Sequence, residues 1–221
     1  MTVELPGAEA DRVSLANLVL AMRRRGVRDR RIYAAIELTP RRMFLPAEFM
    51  HEAFDDRPLP IECGQSICAP SLVGLMTQAL DVREGDRVLE IGTGSGYHTA
   101  VLARLAEEVY SVERYRKLAR LAQERFSVLR LGNISVRVED GLNGWPEKAP
   151  FDRILVTGAA EAPPEALISQ MRIGAIMVMP VGPSMGAQQL TRFERTAEGL
   201  KATSFATVRL VPLVPGTATR L

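Results

Sequence analysis

The chain has 221 residues, 47% hydrophobic and 24% charged, and its 28 Lys and Arg against 26 Asp and Glu leave a formal charge of +2. These values exclude a disordered or fibrous chain and give no global attraction to nucleic acid or a membrane surface. The two cysteines, Cys63 and Cys68, exclude a disulfide framework and a zinc site made of cysteines alone.

No apolar run approaches the roughly 18 residues of a spanning helix, and the acidic start (residues 1–14) lacks the apolar stretch of a signal peptide. The expectation is therefore a cytoplasmic protein that binds neither membrane nor nucleic acid. It is read as a monomer of one domain, 1–221, with a helical cap and loop region over 1–80 and an α/β core over 81–221.

In chain order, Leu15, Leu18, Val19 and Met22 recur at helical spacing, and Gly26 stops that helix. A second helix is predicted over Arg30–Leu38, ending before Pro40. Pro40, Pro46, Pro58, Pro60 and Pro70 then punctuate an irregular stretch of functional interest, and Ser71–Leu80 reads as a helix. Strands and helices alternate from there. Strands are expected at Arg87–Ile91, Val109–Val112, Ile134–Val138, Arg153–Thr157 and Ala175–Val181, and helices at Tyr97–Ala106, Tyr115–Leu129 and Glu165–Met171. This order implies a doubly wound, mostly parallel sheet. Gln188–Glu194 and Ala202–Leu210 follow without a helix between them, which implies an antiparallel addition at one edge.

The most informative stretch is Val88-Leu89-Glu90-Ile91-Gly92-Thr93-Gly94-Ser95-Gly96-Tyr97. It leaves an apolar strand and opens a helix, the setting of a nucleotide-binding turn. The spacing is G-x-G-x-G rather than the dinucleotide G-x-G-x-x-G, and Glu90 stands two residues before the first glycine. A phosphate site at a helix start needs no carboxylate beside it, so an acid there suits a ligand with a cationic end. Glu113 closes the second strand, where a carboxylate accepts hydrogen bonds from ribose hydroxyls. Asp140, followed by Gly141, closes the third and is placed to receive an adenine amino group. Taken singly, each acid reads equally well as a cap. Together with the glycine turn, the three point to one crevice at the carboxyl edge of the sheet.

These residues resemble the S-adenosylmethionine site of the seven-stranded methyltransferases. Further stretches resemble one family among them, the protein-L-isoaspartate O-methyltransferases. Leu59-Pro60-Ile61-Glu62-Cys63-Gly64-Gln65-Ser66-Ile67-Cys68-Ala69-Pro70 is similar to that family's L-P-I-G-x-G-Q-T-I-S-x-P loop. Pro150–Thr157, Met179–Gly182 and Val208–Val214 are similar to its P-F-D-x-I-x-V-T, x-P-V-G and V-R-F-V-P-L-V segments. The resemblance implies S-adenosyl-L-methionine held by Glu90, Gly92, Thr93, Gly94, Ser95, Gly96, Glu113, Asp140 and Gly141. It also implies isoaspartyl proteins or peptides as substrates, met by Gln65, Leu213 and Val214; the last two read as an edge strand that could pair with the peptide or, equally well, as plain core strand residues.

The implied reaction methylates an isoaspartyl carboxylate, whose ester then collapses through a succinimide toward normal aspartate. A carboxylate is already ionised at neutral pH, so catalysis rests on orientation and exclusion of water. In the resembling family loop hydroxyls do the orienting, and their positions here are Ser66 and Cys68. Cys68 is the main departure, because a thiol donates a weaker hydrogen bond than a hydroxyl. A hydrogen bond to a charged group contributes roughly 1.5–3 kcal/mol, so its loss slows the reaction about 10- to 100-fold.

Three readings of Cys68 stand: a small residue that merely fits, a weakened carboxylate orienter, and a reactive thiol. Pairing of Cys68 with Cys63 is not expected in a cytoplasmic protein. Glu62 in place of a glycine, and Ser71 where tyrosine or histidine is common, put substrate choice in question. The alternatives are a family member acting on another carboxylate and an S-adenosylmethionine-binding protein that has lost transfer activity.

Eight arginines between residues 23 and 42 read as a solvated helical face rather than a nucleic-acid surface. Thr157-Gly158-Ala159-Ala160 stands where amino-group methyltransferases carry N/D-P-P-Y, which argues against base methylation. His98, in the first turn after the glycine loop, is placed where it could cover the ligand, although a surface position is the stronger expectation. No metal-ligand pattern occurs.

Overall fold

The computed structural model describes residues 8–218, so the first seven residues of the acidic start lie outside the described residues. Helix α1 (Ala8–Arg24) ends in a left-handed Gly26 (φ 92°), and the Val27 amide returns to the Met22 carbonyl at 3.0 Å. Helix α2 (Arg30–Glu37) is capped by Asp29, whose side chain accepts from the Arg31 amide. Short 3₁₀ turns follow at Arg41–Phe44 and Ala47–Glu52.

The stretch expected to be irregular also holds a hairpin, β1 (Leu59–Ile61) with β2 (Gln65–Ile67), joined by Glu62–Gly64. Cys63 and Gly64 are both left-handed there, at φ 61° and 64°. Helix α3 (Pro70–Leu80) then starts on a proline, whose missing N–H has no intrahelical partner to lose.

The main sheet is built from β3 (Arg87–Ile91), β4 (Glu108–Glu113), β5 (Ile134–Val138), β6 (Phe151–Val156), β7 (Met171–Val181), β8 (Gln188–Thr196) and β9 (Gly199–Val208). Its order is β5-β4-β3-β6-β7-β8-β9. The first five in that order run parallel; β8 and β9 are antiparallel. Helices α4 (Tyr97–Ala103), α5 (Arg116–Val128) and α6 (Glu165–Ser169) are the crossovers. The predicted helix up to Met171 is shorter than expected because Met171 already pairs with Phe151.

Successive side chains along a strand take opposite faces, and both faces are covered here. Val88, Val109, Leu155, Ile176 and Val178 pack with α3. Leu89, Tyr110, Ile154, Met177 and Met179 pack on the other side with Leu167 of α6. The near-continuous apolar strands of the sequence are the signature of this double burial. A third cluster joins Leu18 and Met22 of α1, Ile32 and Ile36 of α2 and Phe44 to Tyr97, Leu118 and Phe126, which seats the cap on α4 and α5.

Arg41 departs from the predicted arginine face. It alone of the eight is buried, and its guanidinium donates to the carbonyls of Ala53, Asp55, Arg57 and Cys68. Leu213 and Val214 are likewise not on an edge strand. β9 ends at Val208, and the chain then crosses the strand ends, bridging Ala159 at Pro212. Pro212 and Pro215 lack the N–H a ladder needs, so the strand cannot continue. The sheet edge is β9 itself. No helix among the described residues is long and apolar enough to cross a membrane.

Candidate functional site

One cavity sits at the carboxyl ends of β3, β4 and β6, where an open α/β sheet binds its ligands. Its floor is the glycine turn after β3. Gly92, Gly94 and Gly96 all have positive φ (94°, 54° and 89°). At Gly96 a Cβ would fall 2.8 Å from the Phe126 ring and 3.0 Å from the Ala122 methyl, so α5 packs on bare backbone there. Gly92, Thr93, Gly94 and Ser95 line the cavity.

Glu113 lines it as well, buried at the end of β4. Its Oε2 accepts from the Gly94 amide at 2.8 Å and its Oε1 from the Tyr115 amide at 2.9 Å. Burial raises its pKa, and these backbone donors hold it back. Each carboxylate oxygen keeps a further lone pair, so two bonds to hydroxyls remain available.

Glu90 is placed differently from the expectation of direct ligand contact. It is fully buried beneath the turn and is not among the cavity-lining residues. Its Oε2 accepts from Thr99 and, at 2.7 Å, from Ser111, which in turn receives Thr93 Oγ1 at 2.6 Å. Burial pushes its pKa up to about 7 against those donors. Its Oε1 has no hydrogen-bond partner in the protein.

Asp140, just past β5, is held by two backbone amides. Its Oδ1 accepts from the Leu142 amide at 2.9 Å and its Oδ2 from the Gly216 amide at 2.7 Å. Gly141 and Leu142 line the cavity, and Asp140 does not. Its carboxylate pins the last segment of the chain across the strand ends, with Arg114 holding the Gly216 carbonyl at 3.1 Å. That segment brings Leu213 and Val214 to the rim.

The loop Gln65-Ser66-Ile67-Cys68 forms the opposite wall. Ser66 is exposed and Cys68 half-buried. Both cysteines are free. Cys63 sits at the hairpin tip and Cys68 beyond the Leu59–Ile67 pair at its open end, so the strand length separates them. Burial pushes the Cys68 thiol up to about 11, outweighing the nearby Arg41, so it is a neutral thiol at neutral pH. Gln65 donates toward the Cys63 carbonyl at 3.3 Å.

Two groups behind these walls are buried where the sequence favours the surface. Arg41 holds the Cys68 carbonyl at 3.1 Å. His98, expected at the surface, is 7% exposed, lines the cavity and bonds Thr77 of α3. A histidine following a glycine turn carries no local signal that distinguishes these positions.

Glycine turn, ribose-competent carboxylate and hydroxyl-bearing loop thus meet in one cavity, as the sequence resemblance implies. A family profile described as protein-L-isoaspartate(D-aspartate) O-methyltransferase matches residues 14–218. The chain belongs to this family. Among its relatives, the protein-L-isoaspartate O-methyltransferase of Maricaulis maris is 50% identical over 207 residues, 94% of this chain and 97% of its own length. That of Paracoccus denitrificans is 52% identical over 198 residues, 90% and 92% of the two chains.

A solved protein-L-isoaspartate O-methyltransferase superposes with a TM-score of 0.81 at 28% identity, covering 90% of this chain and 65% of that longer one. A Plasmodium falciparum structure, described as a putative member in complex with S-adenosyl-L-homocysteine, shares the fold at TM-score 0.76 and 22% identity over 90% of this chain and 97% of that chain. The fold is that of these methyltransferases, and the enzyme depends on S-adenosylmethionine as its family does. The residues present fit that ligand: the cavity offers Glu113 at the ribose position, and the turn is backed by the unpartnered Oε1 of Glu90.

Proposed function

We infer that the chain transfers the methyl group of S-adenosylmethionine to the free carboxylate of an isoaspartyl residue in damaged proteins and peptides. The observation that carries this reading is that the Gln65–Cys68 loop and the glycine turn with Glu113, far apart in sequence, line the same cavity.

When bound, the sulfonium supplies an already activated methyl group. The chain's own work is placement. The Glu113 carboxylate and the amides of the glycine turn receive the nucleoside end, and the buried Glu90 carboxyl backs the turn. Ser66 Oγ and Cys68 Sγ orient the acceptor carboxylate, which needs no general base because it is ionised already. Leu213 and Val214 close the rim and keep water from the reacting oxygen. Asp140 also fixes the strap that carries them.

A second reading, transfer to a different carboxylate, is favoured by Cys68 in place of the expected serine and by Glu62 in place of glycine, the latter 3.8 Å from Arg125. The chain is further read as a cytoplasmic monomer that takes neither nucleic acid nor membrane, in keeping with two unbridged cysteines and a balanced charge.

The test incubates the protein and its Cys68→Ser variant with labelled S-adenosylmethionine and an isoaspartyl peptide, with the aspartyl isomer as control. Transfer to the isoaspartyl peptide alone supports the first reading. Transfer only by the variant assigns the native chain another acceptor, and donor binding with no transfer in either removes the enzymatic reading.

A further inference from the structure

His98 is the buried polar group in the cavity wall that the proposed chemistry leaves unused. Its Nε2 lies 2.9 Å from Thr77 Oγ1. The Thr77 hydroxyl has one hydrogen, which it donates to the Val73 carbonyl at 2.8 Å. Toward His98 it can only accept, so Nε2 carries the imidazole proton and Nδ1 is a bare acceptor. That Nδ1 is buried and has no hydrogen-bond partner in the protein. Burial also depresses the histidine to about 3, so the ring stays neutral and Nδ1 stays an acceptor at neutral pH. A buried acceptor left unpaired costs about 1–3 kcal/mol, whereas a ligand N–H placed against it recovers that cost on binding.

We propose that His98, held in its Nε2–H form by Thr77, is a ligand-touching residue whose Nδ1 accepts a hydrogen bond from an N–H group of a molecule bound in the cavity. Two sources carry that chemistry: the α-ammonium at the methionine end of the methyl donor, and an amide N–H beside the acceptor carboxylate of the peptide. The inference rests on the function proposed above.

The experiment compares wild type, His98→Leu and His98→Asn. Leucine removes the acceptor while leaving Thr77 bonded to Val73, and asparagine can return an oxygen near the Nδ1 position. Calorimetry measures binding of S-adenosylhomocysteine, which has the α-ammonium, and of methylthioadenosine, which lacks it; kinetics measure the peptide KM. Melting curves check that each variant is folded.

If the donor ammonium is the source, His98→Leu binds S-adenosylhomocysteine about 10- to 100-fold more weakly, methylthioadenosine is unaffected, and His98→Asn recovers most of the loss. If the peptide amide is the source, the peptide KM rises by a similar factor and S-adenosylhomocysteine binding is unchanged. Affinities and KM within about twofold of wild type in His98→Leu overturn the inference, as does an equal loss for both nucleosides, which marks a reshaped cavity. A wild-type chain that binds no S-adenosylhomocysteine overturns the proposed function along with it, whereas normal wild-type binding with an indifferent variant overturns the role of His98 alone.

Discussion

The guanidinium of Arg41 donates to the carbonyl oxygen of Cys68 at 3.1 Å. The cap is thereby tied to the loop that lines the cavity, through a side chain only 5% exposed that also serves three other carbonyls. A buried cation with four carbonyl acceptors cannot be shortened without leaving some of them unpaired. Arg41→Lys should lower unfolding free energy by about 2–4 kcal/mol and also reduce kcat, since the loop loses its anchor. Urea titration with parallel kinetics checks this, and wild-type values in both would remove the anchoring role.

Cys68 and its thiol set the second expectation. A protonated thiol donates weakly, so Cys68→Ser should raise kcat on an isoaspartyl peptide by about 10-fold or more if this position orients the carboxylate in the transition state. In native protein near pH 8 a thiol reagent should modify Cys63 well before Cys68, whose pKa lies near 11. An unchanged or lower kcat in the serine variant would make Cys68 a space-filling residue, and fast labelling of Cys68 would contradict its burial.

Glu90 gives a pH signature. Its folded pKa near 7 exceeds the usual 4.5, so between those values the folded state holds a proton that the unfolded chain releases. Stability from this group is therefore greatest below pH 4.5, falls as pH rises to 7, and stays low above it; the span is on the order of 3 kcal/mol. His98 has the opposite slope. Its pKa drops from 6.5 to about 3, so it costs stability as pH falls below 6.5. Glu90→Gln should be more stable than wild type at pH 8, and the difference should shrink toward pH 5. Denaturant unfolding at both values decides it, and a pH-independent difference would contradict the assignment.

Gly96 is constrained twice, by its φ of 89° and by the Phe126 ring. Gly96→Ala should cost about 2–5 kcal/mol from left-handed backbone and overpacking together, and it should weaken donor binding by displacing the turn. A melting curve and nucleoside affinity matching wild type would refute both constraints.

The alternation of strands and helices, the glycine turn and the ends of β3, β4 and β5 are all legible in the sequence alone. They are set by residues close in the chain: side-chain period, turn residues and proline stops. So was the family, through the Gln65 loop and the Val208–Val214 stretch. The hairpin within the proline-rich stretch was not evident, because its strands are three residues each and too short to show a period.

Which atoms the acids present was decided only by the tertiary structure. Asp140 and Gly216 lie 76 residues apart, and their meeting adds the fastening of a strap to a carboxylate the sequence marks only as an adenine contact. Glu90 turns inward because Thr99 and Ser111 converge on it from a helix and a neighbouring strand. Arg41 is buried, unlike its seven neighbours in the cluster, because backbone carbonyls from the loops after it surround it. A chain encodes its elements locally, but burial and hydrogen-bond partners come from segments brought together only on folding, and these determine what each charged side chain can do.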